Sequence, residues 1–309
     1  MQCITTLEEV ENKVKEMSQY YEDRLVPIKD ITFDNIESVR IDSQSYKIRP
    51  IAQREIANRL NIPLQYIKRC THEVQAYNLN HWIKKEANEK LFFRFDKDAI
   101  RAVFTPRYIP IDNIDILTTI HQIRYYKDTE VQYSMDDEFM VISILDDSDK
   151  FGLNNNDELR PGISISNSEV GIAGLSISAY LLRLVCTNGL IDKTNVTASY
   201  RHVSRKILNK FPEVIEKVSN GLDRQKSQLK LSLESKVNDP LATIKNFNKH
   251  FQLESPELNA VDWAWPLEAG DTMFNIVNTY TRAAQYSYLQ AESCYKLQKV
   301  GGMVLESVN

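Results

Sequence analysis

The chain has 309 residues, of which 42% are hydrophobic and 26% are charged, a composition typical of a soluble globular protein with a sizeable core. Gly and Pro are scarce, at 9 and 10 residues, which argues against a collagen-like, low-complexity or turn-rich all-β chain. No stretch approaches the roughly 18 apolar residues of a transmembrane helix, and the charged N-terminus lacks the apolar segment of a secretory signal. We therefore expect a cytoplasmic protein with free thiols at its four scattered cysteines.

The charge is unevenly distributed along the chain. The net charge of −4 predicts no overall attraction to nucleic acid, but residues 41–110 carry +6, residues 111–170 carry −9 and residues 181–250 carry +7. An acidic block between two basic blocks favours a surface with opposite local potentials. Solvated faces that cluster by chance are the alternative.

Apolar residues recur every three to four positions over 6–24, which predicts an amphipathic N-terminal helix. They are Leu7, Val10, Val14 and Met17.

Two short strands are predicted over 31–50, and two helices over 51–70 with Pro63 at the start of the second. The helix pair resembles a DNA-reading helix-turn-helix, but its second helix begins without exposed polar residues, so packing against the neighbouring sheet is the expected role. A further helix is predicted over 79–90.

Alternating apolar residues predict strands over 91–104 and 130–145, with a helix over 114–126 between them. In the following loop, 146–158, four residues match positions of a calcium-binding loop. They are Asp147, Asp149, Gly152 and Glu158. Phe151 stands where a further oxygen ligand is needed, so a solvated acidic hairpin loop is the expected structure.

Residues 164–191 are predicted to form a strand, a polar step and an apolar helix. The polar step is Asn167-Ser168-Glu169, and Asn188-Gly189 is expected to end the helix, with Gly189 at positive φ. Three roles are open for the step: backbone capping together with pairing of Glu169 to Arg183 or to an arginine of 94–107, contact with a ligand, or catalysis. Capping and pairing are favoured.

Further helices are predicted over 204–236, 241–251 and 270–298, the last ended by Gly301-Gly302.

The whole pattern predicts an α+β fold, with a mixed or antiparallel sheet core and packed helices, followed by a mostly helical C-terminal third. We expect an N-terminal helix over 1–29, a core domain over 30–200 and a helical region over 201–309. Glycine-rich nucleotide loops, a nucleophile elbow and zinc-type histidine spacings are missing from the sequence. A non-enzymatic protein without metal or cofactor is therefore expected.

Four segments, in this order, resemble a phage/plasmid-like protein family, a bacterial domain of unknown function found in prophages and plasmids. They are residues 101–113, 165–171, 183–191 and 272–285, and the resemblance extends from about residue 40 to 305. The setting in mobile elements implies a role in replication, recombination or interference with host defence. The order of strands and helices is similar to that of single-strand annealing proteins, which form rings or filaments and hold single-stranded DNA in a basic groove without nucleotide hydrolysis.

This analogy predicts single-stranded DNA as the partner, bound by cations that follow the phosphates and by aromatic rings on which bases stack. The candidates are Trp82, Lys84, Lys85, Arg94, Arg101, Arg107, Tyr108, Arg201, Arg205 and Lys206. Core packing is the alternative for Trp82, and pairing with Asp112 or Glu169 is the alternative for Arg101 and Arg107. A homo-oligomeric ring would place the acidic segment 131–158 away from the DNA.

Two other functions remain open at this point. The first is a protein-interaction factor of a mobile element, such as a host-defence inhibitor or a replication accessory. The second is a metal-dependent nuclease or hydrolase that uses Glu169. Strand annealing is the function we expect.

Overall fold

The computed structural model describes residues 3–123, 125–145, 150–154, 157–183, 188–191, 198–200, 202, 208–209, 211–213 and 223–308. Within these ranges the chain has the predicted α+β fold, with two mainly antiparallel sheets, packed helices and a helical C-terminal region. The described strands, in chain order, are β1 (Cys3–Thr6), β2 (Tyr21–Pro27), β3 (Ile31–Asn35), β4 (Ser38–Ile41), β5 (Gln44–Ile48), β6 (Lys90–Asp96), β7 (Ala99–Phe104), β8 (Glu130–Met135), β9 (Met140–Leu145), β10 (Phe151–Asn154), β11 (Asp157–Asn167), β12 (Leu175–Arg183), β13 (Asn188–Ile191) and β14 (Ala198–Tyr200). The described α-helices are α1 (Leu7–Ser18), α2 (Pro50–Arg59), α3 (Leu64–Arg69), α4 (His72–Ile83), α5 (Asn113–Ile123), α6 (Asp223–Glu234), α7 (Pro240–His250), α8 (Ser255–Glu268), α9 (Met273–Ala283) and α10 (Ala291–Glu306).

The larger sheet has the strand order β1-β8-β9-β11-β12-β13, with β10 paired to β11 and β14 paired to β12. Its central strand β12 is buried on both faces. Ile177 and Leu181 belong to the main core, which also contains α1, α5 and the C-terminal helices. Tyr180 and Leu182 belong to a separate apolar cluster with Tyr295. Apolar residues therefore fill consecutive positions 179–182, and Ser176 and Ser178 are buried polar residues of the same strand.

This burial on both faces explains why the helix predicted after the polar step is wrong. Alternation is lost over 179–182, and a stretch of consecutive apolar residues cannot be distinguished by periodicity from a buried helix. Asn188 and Gly189 accordingly lie in strand β13, opposite Arg183 and Leu182, and do not end a helix. A left-handed glycine is found instead at Gly171, where φ is +86°.

The smaller sheet has the order β2-β6-β7-β5-β4-β3, and all its pairs are antiparallel except β5 with β7. The two strands predicted over 31–50 are in fact three. Asp42 and Ser43 have φ values of 50° and 71°, which suits a tight hairpin turn between β4 and β5. Helices α2 to α4 cover this sheet, and its core includes Phe33, Phe93 and Phe95.

Two predicted helices have different limits in the structure. Helix α1 buries Leu7, Val10 and Val14 as predicted, but it ends at Ser18, and the chain then pairs with β6 as strand β2. The helix predicted over 79–90 is α4, which begins at His72 and ends at Ile83. Its buried face extends back to Gln75, a polar residue that apolar periodicity overlooks.

The C-terminal region differs from the prediction in two respects. The closing helix predicted over 270–298 is two helices, α9 and α10, and Gly301-Gly302 lies inside α10. A Cβ atom at Gly301 would lie 2.7 Å from Thr281 Cγ2, so glycine allows the two helices to pack closely. Helix α8 was not predicted, whereas α7 confirms the helix over 241–251.

The helix predicted over 204–236 is described only in part, as α6. Among the described helices, none has both the length and the apolar character needed to cross a membrane.

Candidate functional site

The polar step Asn167-Ser168-Glu169 lies between β11 and β12, and all three residues are buried. Ser168 Oγ donates to the carbonyl oxygen of Glu138 at 2.7 Å and accepts from the N–H of Ile172 at 3.2 Å. The serine therefore closes the turn by satisfying backbone groups, which is the capping role that the sequence predicts.

Glu169 forms a buried ion pair. Its Oε2 lies 2.9 Å from Arg101 Nη2, and the two side chains are 5% and 2% exposed. The other carboxylate oxygen accepts from the N–H of Asn113 at 2.7 Å, and the Arg101 guanidinium lies 3.4 Å from the ring centroid of Tyr21. The predicted pairing of Glu169 with an arginine of 94–107 is confirmed, and Arg183 instead pairs with Glu268 at 3.2 Å.

Arg94 is also an internal ion-pair partner. Its Nε donates to Asp23 at 2.9 Å, its Nη1 donates to the carbonyl oxygen of Glu169 at 3.0 Å, and its Nη2 donates to the Asp112 carboxylate. Burial disfavours the charged form, but the carboxylates of Asp112 and Asp23 more than offset it and raise the pKa of Arg94. Arg94 and Arg101 are both 2% exposed, so the prediction that they follow DNA phosphates is wrong: their charges are used inside the fold.

His202 connects Asn167 to Tyr108. The Asn167 amide nitrogen donates to the carbonyl oxygen of Ile111 and to Asn113 Oδ1, so its oxygen must be the atom that faces His202 Nε2 at 2.9 Å. His202 Nε2 is therefore the protonated nitrogen, and Nδ1 accepts from the Tyr108 hydroxyl at 2.8 Å. Burial, together with the charge of Arg94, lowers the pKa of His202 to about 4.

These groups form a network between the two sheets. Arg94 and Arg101 are on β6 and β7 of the smaller sheet, and the polar step follows β11 of the larger sheet. The network therefore joins sheet to sheet, and not a strand to a helix that ends at Asn188; that it acts as an architectural lock stays a prediction.

A different surface carries exposed aromatic rings beside cations. On α4, Tyr77 is 72% exposed and Trp82 is 43% exposed. The Tyr77 and His81 rings are 6.1 Å apart and inclined by 17°, and the His81 and Trp82 rings are 5.2 Å apart and perpendicular. Lys85 Nζ lies 4.7 Å from the Trp82 ring centroid. The rings and the lysine thus form a continuous row on one side of the helix.

Exposed aromatic and basic side chains also occur on the preceding helix α3 and just after the end of α4. We call the exposed set the α3–α4 surface; it consists of Tyr66, Lys68, Arg69, Tyr77, His81, Trp82, Lys84 and Lys85. Residues 64–85 contain four Lys or Arg side chains and a single carboxylate, Glu73. The surface is therefore locally basic although the chain is acidic overall.

The opposite face of α4 fixes the orientation of this surface. Asn80 Oδ1 accepts from the N–H of Phe33, and Asn80 Nδ2 donates to the Phe33 carbonyl oxygen, both at 2.8 Å. Gln75 Oε1 accepts from the N–H of Ile36 at 3.0 Å. Asn80 thus satisfies the outer edge of strand β3 as a neighbouring strand would, and Gln75 satisfies the backbone just after the strand. Leu79 and Ile83 of the same helix belong to the core of this sheet.

The predicted DNA-binding residues fall into four groups. Trp82, Lys84 and Lys85 are exposed together on the α3–α4 surface. Arg107 is exposed and lines a cleft beside the half-buried Tyr108. The buried residues are Arg94 and Arg101. Arg201, Arg205 and Lys206 lie outside the described residues.

Sequence reasoning missed several exposed members of the surface. They are Tyr66, Lys68, Arg69, Tyr77 and His81. Aromatic and basic residues recur through 66–85, and this mixture was the available signal. It was obscured because the helix was placed several residues too late.

The acidic hairpin offers no metal site in the part that is described. Gly152 and Glu158 are paired across β10 and β11, whereas Asp147 and Asp149 lie outside the described residues. Elsewhere in the described ranges, no three His, Cys, Asp or Glu side chains are grouped so as to hold a metal ion.

Comparison with known proteins finds no match for this chain among family models, curated proteins or solved structures. The resemblance to the phage/plasmid-like family stays a prediction.

Proposed function

We propose that this chain is a cytoplasmic, non-enzymatic single-stranded DNA-binding protein of a phage or plasmid, and that it promotes strand annealing in recombination or replication. The observation that carries the proposal is the row on the α3–α4 surface where the exposed rings of Tyr77, His81 and Trp82 lie beside Lys85, with Lys68, Arg69 and Lys84 also exposed in the same segment. The annealing step and the mobile-element setting rest on the family resemblance.

The α3–α4 surface suits single strands for two physical reasons. Each base of a single strand offers a free flat face, and stacking on an aromatic side chain contributes about 1–3 kcal/mol per base. Lys and Arg side chains that neutralise phosphates release bound counterions, which adds affinity that falls as salt rises. A duplex hides its base faces, so Tyr77 and Trp82 favour a single strand.

The net charge of −4 is compatible with this function, because a strand responds to the local potential of the surface that it contacts. A homo-oligomeric ring or filament would place several α3–α4 surfaces along one strand. The acidic segment 131–158 and the basic blocks offer complementary charges for contacts between subunits.

The first test is Trp82→Leu, with Trp263→Leu as the matched control. Trp263 is 39% exposed, close to the 43% of Trp82, but lies on α8. Loss of one stacking platform should weaken binding of a labelled 40-nucleotide single strand by about 5- to 100-fold. Fluorescence anisotropy at low and moderate salt, with a duplex for comparison, measures this. Equal losses in both variants, or no strand binding at low salt, would contradict the proposal.

The second test concerns the cations. The double variant Lys84→Gln/Lys85→Gln should reduce the slope of log affinity against log salt by about 0.7 for each lysine that contacts a phosphate of the strand. The double variant Lys245→Gln/Lys249→Gln removes two exposed lysines from α7 and should leave the slope unchanged.

A second candidate function is binding to a host or element-encoded protein, as a defence inhibitor or replication accessory. Its support is a second exposed patch, which consists of Trp263, Leu267 and Tyr288. Trp263 and Tyr286 rings are 5.5 Å apart, and Tyr286 contacts Tyr288 at 5.4 Å. Capture of one protein that is insensitive to salt and lost in Trp263→Leu, without any strand binding, would favour this function.

A further inference from the structure

A cleft of about 300 Å³ lies where α2, the turn after β7 and the turn before β12 meet. Its walls include Arg59 from the end of α2, Phe104 from the end of β7, Tyr108 from the turn that follows, and Gly171. Phe104 and Tyr108 stack with ring centroids 3.8 Å apart and planes within 6°. The cleft is at the lower end of the roughly 300–1,000 Å³ that small-molecule sites occupy.

Two arginines supply the charge of the cleft. Arg107 is exposed, and within the described part of the chain no ion pair involves it. Arg59 has Glu86 as an ionic neighbour at 3.7 Å, beyond hydrogen-bond distance, and its buried Nε has no hydrogen-bond partner. Within the described part of the chain neither guanidinium donates a hydrogen bond, so the Nη atoms of the two arginines are the donors for an acceptor-rich ligand in the cleft.

Of the other titratable groups nearby, Glu86 offsets part of the charge of Arg59, whereas His202 and Glu55 add little charge at neutral pH. His202 lines the cleft, and burial lowers its pKa to about 4. Glu55 approaches from behind Gly171, because a Cβ atom at Gly171 would lie 2.7 Å from Glu55 Oε1. Burial raises the pKa of Glu55 to about 8, so this carboxyl is protonated at pH 7. The positive charge that a ligand meets in the cleft therefore comes mainly from Arg107, and Arg59 adds a charge that Glu86 partly offsets.

The combination of an apolar wall and two arginines restricts the class of ligand. Arginine binds phosphate through its planar set of N–H donors, and the ring edges and faces of Phe104 and Tyr108 form an apolar wall for a flat group. A sulfate or a simple phosphate could bind to the arginines, but it has no flat apolar group that could contact the aromatic wall.

We propose that this cleft binds a single phosphorylated nucleoside, with its phosphate on Arg59 and Arg107 and its base against Phe104 and Tyr108. The ligand is either a free nucleotide or the phosphorylated end of a strand. The site is separate from the α3–α4 surface, although Glu86 beside Arg59 directly follows Lys84 and Lys85 in the chain. The proposal goes beyond strand binding and does not depend on it.

The test is isothermal titration calorimetry of thymidine monophosphate against the wild-type chain and Arg107→Gln. Wild type should bind with a dissociation constant on the order of 0.1–1 mM, and the variant should bind at least about tenfold more weakly. Arg40→Gln changes another exposed arginine, which pairs with Asp34 on the smaller sheet, and should bind like wild type. Thermal melting followed by circular dichroism checks that both variants are folded.

Three further ligands identify the group that is recognised. Thymidine without phosphate should bind at least about tenfold more weakly than the monophosphate. Inorganic phosphate that binds as tightly as the monophosphate would overturn the role of the aromatic wall. A trinucleotide with and without a 5′-phosphate, in the Trp82→Leu background, distinguishes the two sources: a phosphate-dependent gain assigns the site to a strand end, and its lack assigns the site to free nucleotide.

Two results would overturn the proposal: no binding of the monophosphate up to several times the expected dissociation constant, or equal binding by wild type and Arg107→Gln. These failures are distinguishable from failure of strand binding. Trp82→Leu should bind the single strand more weakly and bind the monophosphate like wild type. Arg107→Gln should bind the monophosphate more weakly and bind the single strand like wild type.

Discussion

Glu55 and His202 are two residues that burial keeps neutral, by shifts of pKa in opposite directions. The Glu55 carboxylate oxygen Oε2 accepts from the N–H of Val103 at 2.9 Å. Burial raises its pKa to about 8, against the smaller opposing effects of that hydrogen bond and of Arg59 and Arg54. Burial lowers the pKa of His202 to about 4. Each group therefore makes the stability of the fold depend on pH, but over different ranges.

Glu55→Gln should flatten the dependence of stability on pH between pH 5 and pH 8. In wild type the folded state holds a proton that the unfolded state releases above its pKa of 4.5, so the free energy of unfolding falls as pH rises toward 8. Because Glu55 is partly exposed, we expect this fall to be about 2 kcal/mol larger in wild type than in the variant. Urea unfolding at both pH values measures the difference.

The control is Glu37→Gln, which removes an exposed carboxylate from the turn between β3 and β4. It should keep the wild-type fall in stability. Parallel pH profiles for wild type and Glu55→Gln would show that Glu55 is not protonated in the folded state at neutral pH.

Helix α4 shows how one element connects the fold to the proposed interface. Its inner face satisfies the edge of β3 through Asn80 and the backbone just after that strand through Gln75, and its outer face carries Tyr77 and Trp82. The hydrogen bonds to a strand edge fix the rotation of the helix about its axis. The exposure of the two rings is therefore a consequence of how the helix is docked.

Asn80→Ala should lower the free energy of unfolding by about 2 kcal/mol, because the N–H and the carbonyl oxygen of Phe33 lose their partner. Asn78→Ala is the matched control, since the Asn78 amide bonds only to the carbonyl oxygen of Val74 in its own helix; it should cost less than about 1 kcal/mol. Urea unfolding compares the two variants. Equal losses would mean that the contact with β3 does not hold α4 in place.

The limits of the elements show what the sequence can predict. Short and partly alternating apolar runs, bounded by turn residues, identified β6 to β9, and a spacing of three to four identified α1, α5 and α7. Strand β9 is buried along its whole length, as β12 is over 175–182, but the apolar stretch that contains β12 is longer and is followed by Asn188-Gly189, a typical helix end, so a helix was predicted there. Spacing failed for α4, where Gln75 and Asn80 replace apolar residues at the interface. In both cases the buried contacts are made with distant parts of the chain, so the local sequence shows no hydrophobic periodicity that would reveal the element.

For the whole molecule, the sequence predicted the α+β class and the pairing of Glu169 with an arginine, but not what the pair joins. A buried carboxylate in an apolar stretch requires a cation, and the 94–107 segment offered one. That Arg101 and Glu169 belong to different sheets follows only from the topology. The topology also determines whether each arginine is buried or exposed. The sequence alone therefore could not show that Arg94 is buried and Arg107 is exposed.

The two sheets have separate apolar cores, and the polar network joins them. Glu169→Gln keeps the shape of the side chain but leaves the Arg101 guanidinium, which is 2% exposed, without its counter-ion. Removing one partner of a buried pair typically costs about 3–5 kcal/mol. Urea unfolding should therefore show a loss of this size, and the larger and smaller sheets should unfold in separate steps when followed by amide hydrogen exchange.

Asp34→Asn is the control for this change, because it breaks the exposed ion pair with Arg40, whose atoms are 3.0 Å apart. An exposed pair contributes at most about 1 kcal/mol, so a single wild-type-like transition is expected. If Glu169→Gln kept the stability of wild type but no longer bound single-stranded DNA, the carboxylate would act in binding and the lock would be the wrong explanation. If the loss of stability occurred in one step, the two cores would be coupled by more than this network.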